Sequence, residues 1–281
     1  MNLTINAYAK INLTLDVLAK RPDGFHEVEM VMQSIALADT LSFQPANNLE
    51  LICNDSRLPT NEQNLIMQAA LSLKERYNVS KGVKIYLQKN IPIAAGLAGG
   101  SSNAAATLQA LNLLWDLRLS IAELIYLGQS LGSDIPFCLI GGTALAKGRG
   151  EQLTLLPRLP KLWLVLVKPD LEVSTKEIYR HWEKFGQNQT NRSPQMIQAI
   201  KENNVENIII NLNNHLECVT SRLYPEIRDI KHRLREQGTL NAVMSGSGPT
   251  FYGITKDETD AYKLKQYLSR YYQHVFVTHT L

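Results

Sequence analysis

Cysteine is scarce in these 281 residues: Cys53, Cys138 and Cys218 stand far apart, with no C-x-x-C pair and no histidine at zinc spacing. Three scattered thiols exclude a disulfide-stapled scaffold and point to a reduced, cytoplasmic chain. A dominant charge is also lacking, since 29 Lys plus Arg stand against 26 Asp plus Glu for a net +3. Binding driven by phosphate neutralisation calls for a stronger or more clustered basic excess, so no nucleic-acid partner is expected. The longest strongly apolar run, Leu162–Val167, is far too short to span a bilayer, and the first ten residues carry neither a basic leader nor an apolar stretch. The expectation is a soluble chain with no membrane partner and no export. The six histidines are scattered, without His-Glu-x-x-His or a recognisable Ser/His/Asp set, so nothing indicates a zinc protease or a triad hydrolase.

What is present reads as globular. Apolar residues make up 44% and charged residues 20%, enough to bury a proper core. The length is about twice that of a typical domain, which predicts two domains or one elaborate one. Ile11, Leu13, Leu15 and Val17 alternate with more polar neighbours and predict a strand with one apolar face, followed by a turn at Arg21-Pro22-Asp23-Gly24. Further strands are expected over Val28–Leu37, Leu49–Cys53 and Val83–Leu87, with a helix over Gln63–Tyr77. After residue 90 a glycine-rich loop feeds a helix on which Ala104, Leu108, Leu111 and Trp115 recur at helical spacing. Ser120 and Glu123 form a capping-box pair for the next helix, which ends near Gly132. Gly141–Leu156 reads as a hairpin, and Pro157–Pro160 marks the boundary between residues 1–157 and 158–281. Beyond it come a buried strand over Leu162–Val167, a helix from Ser174 to Phe185, a polar loop over Gly186–Ser193, and helices over Pro194–Glu202, Val205–Thr220 and Pro225–Gln237. The chain closes with a strand segment in Asn241–Tyr252, a helix over Glu258–Tyr272 and a strand over Val275–Thr280.

The strongest chemical signal is the run Pro92-Ile93-Ala94-Ala95-Gly96-Leu97-Ala98-Gly99-Gly100-Ser101-Ser102. Glycines let a ligand approach the backbone, and N–H groups at a helix start attract an anion, so this loop suits phosphate. It matches neither the P-loop nor the Rossmann spacing. Ser101 and Ser102 are available to cap the helix, bond phosphate oxygens or touch magnesium. A second glycine-rich stretch, Ser245–Thr250, is on its own an ordinary loop between strands; with the first, it suggests a phosphate chain held from two sides of a cleft. Lys10 interrupts apolar alternation between two strand segments, either facing solvent at an edge or aimed into a cleft. Asp134 lies where a helix stops and an X-Pro step calls for extended backbone; alone it reads as an N-cap, whereas paired with Lys10 it makes a general base with a charged partner. Phe25 is a loop aromatic that can anchor the loop or stack on a base. Arg228, Lys231, Arg233 and Arg235 read as a solvated helix face.

Together Ala9–Leu13, Arg21–His26, Pro92–Ala105, Gly132–Phe137 and Ser245–Thr250 resemble the GHMP kinase superfamily over nearly the whole chain. The first two motifs resemble more narrowly its branch acting on 4-diphosphocytidyl-2-C-methyl-D-erythritol, in non-mevalonate isoprenoid precursor synthesis. The resemblance implies an α+β, two-domain fold, with an N-terminal domain like ribosomal protein S5 domain 2 and a ferredoxin-like C-terminal domain. It implies ATP and Mg2+ as cofactors and phosphorylation of the substrate's 2-hydroxyl. The same likeness implies Lys10 and Asp134 as the catalytic pair, and Pro92, Gly96, Leu97, Ala98, Gly99, Gly100, Ser101 and Ser102 around the ATP phosphates. Asn64 and Lys89 would border adenine, while Asn12, Phe25, His26 and Tyr179 would hold cytidine. A monomer or weak homodimer is expected. Two departures are visible: Phe25 stands where the family often has Tyr, keeping stacking but losing a phenol hydrogen bond, and Ala94, Ala95 and Ala98 stand where Gly is common, which suits negative φ only. A GHMP-type diphosphate decarboxylase and a non-catalytic nucleotide- or RNA-binding module share parts of this pattern; the presence of both Lys10 and Asp134 argues against the latter.

Overall fold

The alternation around Ile11 is the middle of one long strand. In the computed structural model, which describes residues 2–186 and 189–281, β1 runs over Leu3–Lys20 and β2 over His26–Ala46. Ala7, Ala9, Ile11, Leu13, Leu15 and Val17 are buried on one face of β1, but so are Lys10, Asn12, Thr14 and Asp16 on the other. The expected apolar face exists, yet the polar one is equally withdrawn from water. Lys10 therefore sits inside a continuous strand, not between two segments as the sequence predicted.

Two compact units share these strands. One holds the residues up to Ala9, Leu37–Ile93 and Ala98–Gly141; the other holds Lys10–Ala36, Ala94–Leu97 and Gly142–Leu281. In the first, β3 (Leu49–Cys53) pairs in parallel with β4 (Gly82–Gln88), and β4 pairs antiparallel with Thr40–Ala46 of β2. Helices α1 (Leu65–Arg76), α2 (Gly99–Leu114), α3 (Ile121–Leu131) and α4 (Ile135–Ile140) complete it. Leu41, Phe43, Ile85 and Leu87 from the strands pack with Ile66, Leu73, Leu108, Leu111 and Leu124 from the helices. Each such side chain contributes about 1.5–3 kcal/mol on burial. Ala104, Ala105, Ala106 and Ala110 keep α2 thin enough to sit deep in that core. The Ser120–Glu123 capping box forms as expected, with the Ser120 amide donating to Glu123 Oε2 at 2.8 Å, and α3 ends at Gly132.

In the second unit β5 (Thr143–Lys147) and β6 (Gln152–Leu155) form the expected hairpin, and β5 also pairs with Met30–Gln33 of β2. The rest runs β7 (Trp163–Lys168), α5 (Thr175–Phe185), α6 (Ser193–Lys201), α7 (Val205–Ile210), β8 (Asn213–Asn214), α8 (Leu216–Leu223), α9 (Arg228–Glu236), β9 (Asn241–Met244), β10 (Phe251–Thr255), α10 (Glu258–Leu268) and β11 (His274–His279). Strands β7, β9, β10 and β11 form an antiparallel sheet in the order β11-β7-β10-β9, joined by helices after the first and third strands, which is the ferredoxin-like β-α-β-β-α-β pattern.

Two local expectations fail for tertiary reasons. The helix predicted over Val205–Thr220 is split, because Asn213 and Asn214 pair with Thr14 and Leu15 of β1 and the Asn214 side chain donates to the carbonyls of Met244 and Gly246. Ile135, before Pro136, is not extended: it opens α4 with the proline in the first helical turn, where a missing N–H costs nothing. The polar loop expected over Gly186–Ser193 lies partly outside the described residues, at positions 187 and 188. At its end the carboxylate of buried Asp16 accepts from the Arg192 and Ser193 amides and so caps α6 from another strand.

Candidate active site

In the first unit the site is built on the start of α2. Helix α2 begins at Gly99 with Ala98 as N-cap, and no side chain caps it. Neither serine takes the capping role that the sequence left open: Ser102 Oγ donates back to the Gly99 carbonyl at 2.9 Å and is buried, while Ser101 lies in the first turn. No acidic residue occupies that turn, so its N–H groups and the positive end of the helix dipole are suited to an anion. A Cβ built on Gly132 would stand 3.9 Å from Ser101 Oγ, which places that hydroxyl beside the turn leading to Asp134. Half-buried Asp134 occupies the N-cap position of α4, yet its carboxylate accepts no capping hydrogen bond. Asn64, in contrast, is an N-cap in use: it accepts from the Ile66 amide at 3.0 Å and donates to the Pro59 carbonyl at 2.7 Å, holding the start of α1. Pro92 is half-buried in the loop between β4 and α2. The Lys89 side chain is 6% exposed and its ammonium pairs with Asp39. Burial pulls the Lys89 pKa below its ordinary value, with Asp39 opposing that shift.

The second unit gathers another group. Lys10 is 4% exposed; its Nζ donates to Asn12 Oδ1 at 2.8 Å and to the Gly96 carbonyl at 3.3 Å, and its backbone amide donates to the Leu97 carbonyl. Lys10 therefore points inward, which decides between the two orientations left open by the sequence. Ser245 Oγ also donates to the Gly96 carbonyl, at 3.1 Å. Gly96 has φ +73°, and a Cβ there would collide with the Ser245 carbonyl oxygen. The Ala94–Leu97 segment is thus pinned against the Ser245–Gly248 loop, which does connect β9 to β10 and whose residues are buried. Nearby in sequence to the first turn, Phe25 is 54% exposed with the Arg149 guanidinium 4.9 Å above its ring. His26 is buried, 5.3 Å from the Tyr179 ring and 5.8 Å from that of Trp182, and its Nε2 has no hydrogen-bond partner among the described residues. Burial lowers the His26 pKa, which favours the neutral ring.

The GHMP kinases N terminal domain family matches residues 64–142, and the GHMP kinases C terminal family matches residues 196–274. Over the full chain, 49% of residues are identical to the 4-diphosphocytidyl-2-C-methyl-D-erythritol kinase of Caldanaerobacter subterraneus subsp. tengcongensis, covering 100% of this chain and 98% of the relative. The chain belongs to the 4-diphosphocytidyl-2-C-methyl-D-erythritol kinase family. The enzyme of that name from Pelotomaculum thermopropionicum is 50% identical, with 100% and 98% covered. A crystal structure of 4-(cytidine 5'-diphospho)-2C-methyl-D-erythritol kinase superposes with a TM-score of 0.86 at 32% identity, covering 99% of each chain. The fold is accordingly the two-domain α+β fold of the GHMP kinases.

Within this kinase family's frame, the loop alanines have a physical cost. Ala94 and Ala98 adopt φ of +51° and +57°, the left-handed region that glycine enters without strain. Ala95 does not. Sequence reasoning missed three residues around the site. Asp39 is a lone carboxylate inside an apolar strand, a signal that was legible. Trp182 stands three residues beyond Tyr179 on α5, the spacing that puts two side chains on one helix face. Arg149 had no local signal, because only the β5–β6 hairpin brings it to Phe25. Among the described residues no group of three His, Cys, Asp or Glu could hold a metal ion, and no helix is long and apolar enough to cross a membrane.

Proposed function

We propose that this protein transfers the γ-phosphoryl group of ATP to the 2-hydroxyl of 4-diphosphocytidyl-2-C-methyl-D-erythritol, giving ADP and the 2-phosphate, in the cytoplasm. The observation that carries this reading is identity near one half, across the whole length, with curated kinases of that name. Residues 1–157 and 158–281 are its N- and C-terminal domains; the two family matches fall on either side of that boundary. Asp134 is the general base: it takes the hydroxyl proton as the alcohol oxygen bonds to the γ-phosphorus and the bond to the β-phosphate oxygen breaks. Lys10 supplies the positive charge of the catalytic pair, its ammonium held by Asn12 and the Gly96 carbonyl. The N–H groups at Gly99–Ser101 bind phosphate oxygens, and Asn64 and Lys89 border the adenine.

Magnesium is held mostly by phosphate oxygens and water and takes one or two hard oxygen donors from a protein. The hydroxyl of Ser101, beside the turn that leads to the Asp134 carboxylate, offers donors of that kind; bound there, the ion would neutralise charge on the transferring group. Phe25, His26 and Tyr179, with Asn12, recognise cytidine, and the unpartnered Nε2 of His26 supports a hydrogen bond to that base.

Incubating the purified protein with ATP, magnesium and the cytidyl substrate is expected to release ADP and form a new phosphate monoester detectable by phosphorus NMR. Turnover only on mevalonate or homoserine would replace this reading with a sister-kinase one, and carbon dioxide release from mevalonate diphosphate would indicate a decarboxylase. Asp134→Ala is expected to lower turnover by at least ~10²-fold while ATP binding survives.

A further inference from the structure

We infer that Asp39 is a positioning residue of the nucleotide site, setting through Lys89 and two backbone amides where the glycine-rich loop starts and where helix α2 presents its first turn. The inference rests on the ATP reading above. Asp39 is fully buried on β2, and each carboxylate oxygen has a distinct task. Oδ1 accepts from the amides of Asn90 at 2.7 Å and Ile91 at 2.8 Å, the residues that lead from β4 into the loop. Oδ2 accepts from Lys89 Nζ at 2.5 Å and from Asn103 Nδ2 at 2.8 Å, the latter on α2 just past the loop's end. Four donors from both flanks of one loop therefore converge on a single carboxylate.

The ammonium is placed as tightly as its partner. A Cβ built on Gly99 would come within 2.8 Å of Lys89 Nζ and 3.1 Å of the Ile91 side chain, so Lys89 lies directly against the first residue of α2. A buried charge of either sign is tolerated only when paired and hydrogen-bonded. Lys89 can stay charged against the start of α2 because Asp39 faces it; with that charge removed, the ammonium must move or lose its proton, and the loop that packs on it must follow.

The side-by-side tasks of the two oxygens make Asp39→Asn selective. Its carbonyl keeps the two backbone amides, while its NH2 meets the donors of Lys89 and Asn103, leaving the Oδ2 side without an acceptor. The expected result is an ATP dissociation constant, measured by calorimetry without a second substrate, raised roughly 10–100-fold, the scale of a displacement near 1 Å at a positioned group. In turnover the KM for ATP rises in parallel while the KM for the cytidyl substrate stays within about twofold, a split that general loss of stability would not produce. Adding Lys89→Met to Asp39→Asn is expected to cost clearly less than the sum of the two single changes, since the two act as a unit. ATP affinity within about twofold of wild type in folded Asp39→Asn, an equal rise of both KM values, or full additivity with Lys89→Met would overturn the inference. Should Asp39→Asn fail to fold, Asn103→Ser removes one donor without stranding a charge: a rise of about threefold in the ATP dissociation constant supports the inference, and an unchanged one overturns it. Wild-type protein that binds ATP but does not phosphorylate the cytidyl substrate defeats the proposed function alone, whereas failure to bind ATP defeats both.

Discussion

Replacing Gly96 by alanine measures how firmly the Ala94–Leu97 segment is held against the Ser245–Gly248 loop. The perturbation has two separable parts. At φ +73° any Cβ costs about 1–2 kcal/mol. The same Cβ would also collide with the Ser245 carbonyl and stand 3.0 Å from that of Gly248, both backbone atoms that cannot rotate away. Relieving such overpacking costs typically about 1–3 kcal/mol, so the total is roughly 2–5 kcal/mol. In a chain of this size that lowers the melting temperature by on the order of 10 °C. Gly238→Ala isolates the first part: φ is +91°, but nothing lies within 4 Å of the added Cβ, so only the backbone penalty remains, with a loss of about 4 °C. Activity should separate the two further. The Gly96 carbonyl accepts from Lys10 Nζ and Ser245 Oγ, and displacing it disturbs the ammonium, so Gly96→Ala is expected to lose at least about tenfold in turnover, whereas Gly238→Ala keeps wild-type turnover. Scanning calorimetry of both variants decides the matter: equal losses of stability would refute the claim that the loop is pinned by collision distance.

Three other outcomes are expected. Ala98→Gly removes left-handed strain of about 1–2 kcal/mol at the cost of up to about 1 kcal/mol of chain entropy, so denaturant unfolding should show a gain near 0.5 kcal/mol; a loss would mean that the φ of +57° carries no strain. Phe25→Ala is expected to raise the KM for the cytidyl substrate roughly tenfold, more than it lowers kcat, because base stacking is worth about 1–3 kcal/mol and acts on ground and transition states alike; an unchanged KM removes Phe25 from the base pocket. Burial lowers the His26 pKa below 6.5, partly opposed by Glu183 and assisted by Lys20. As pH falls from 6.5 through the folded-state pKa, the unfolded chain binds the proton first, so stability is lost across that window; NMR titration should place the ring's midpoint below 6.5, and His26→Gln should flatten that part of the stability profile.

Much of the architecture could be read locally. The hairpin over Gly141–Leu156 and the capping box at Ser120 form where turn and cap chemistry put them, because each joins neighbours in sequence. The strand expected over Leu162–Val167 forms as β7 because its apolar run is buried, although its partners β10 and β11 lie far along the chain. The helix over Val205–Thr220 does not, because the amide groups of Asn213 and Asn214 find better partners on β1 and beside β9 than a helix offers. The polar face of β1 misled in the same way: Asn12, Thr14 and Asp16 look solvated in sequence, yet all three are buried, Asn12 bonded to Lys10 and Met30, and Thr14 and Asp16 bonded to Ser193 far along the chain.

The amino-acid string by itself determined the kinase family and the glycine-rich loop at a helix start, because a tight backbone turn into a helix needs small residues at fixed spacing. Tertiary structure alone decided which way Lys10 points, that Ser102 binds its own helix instead of capping it, and that Asp39 ties the loop's two flanks together. Those outcomes depend on which donor meets which acceptor across tens of residues, and a buried polar group must find its partner wherever the fold brings one.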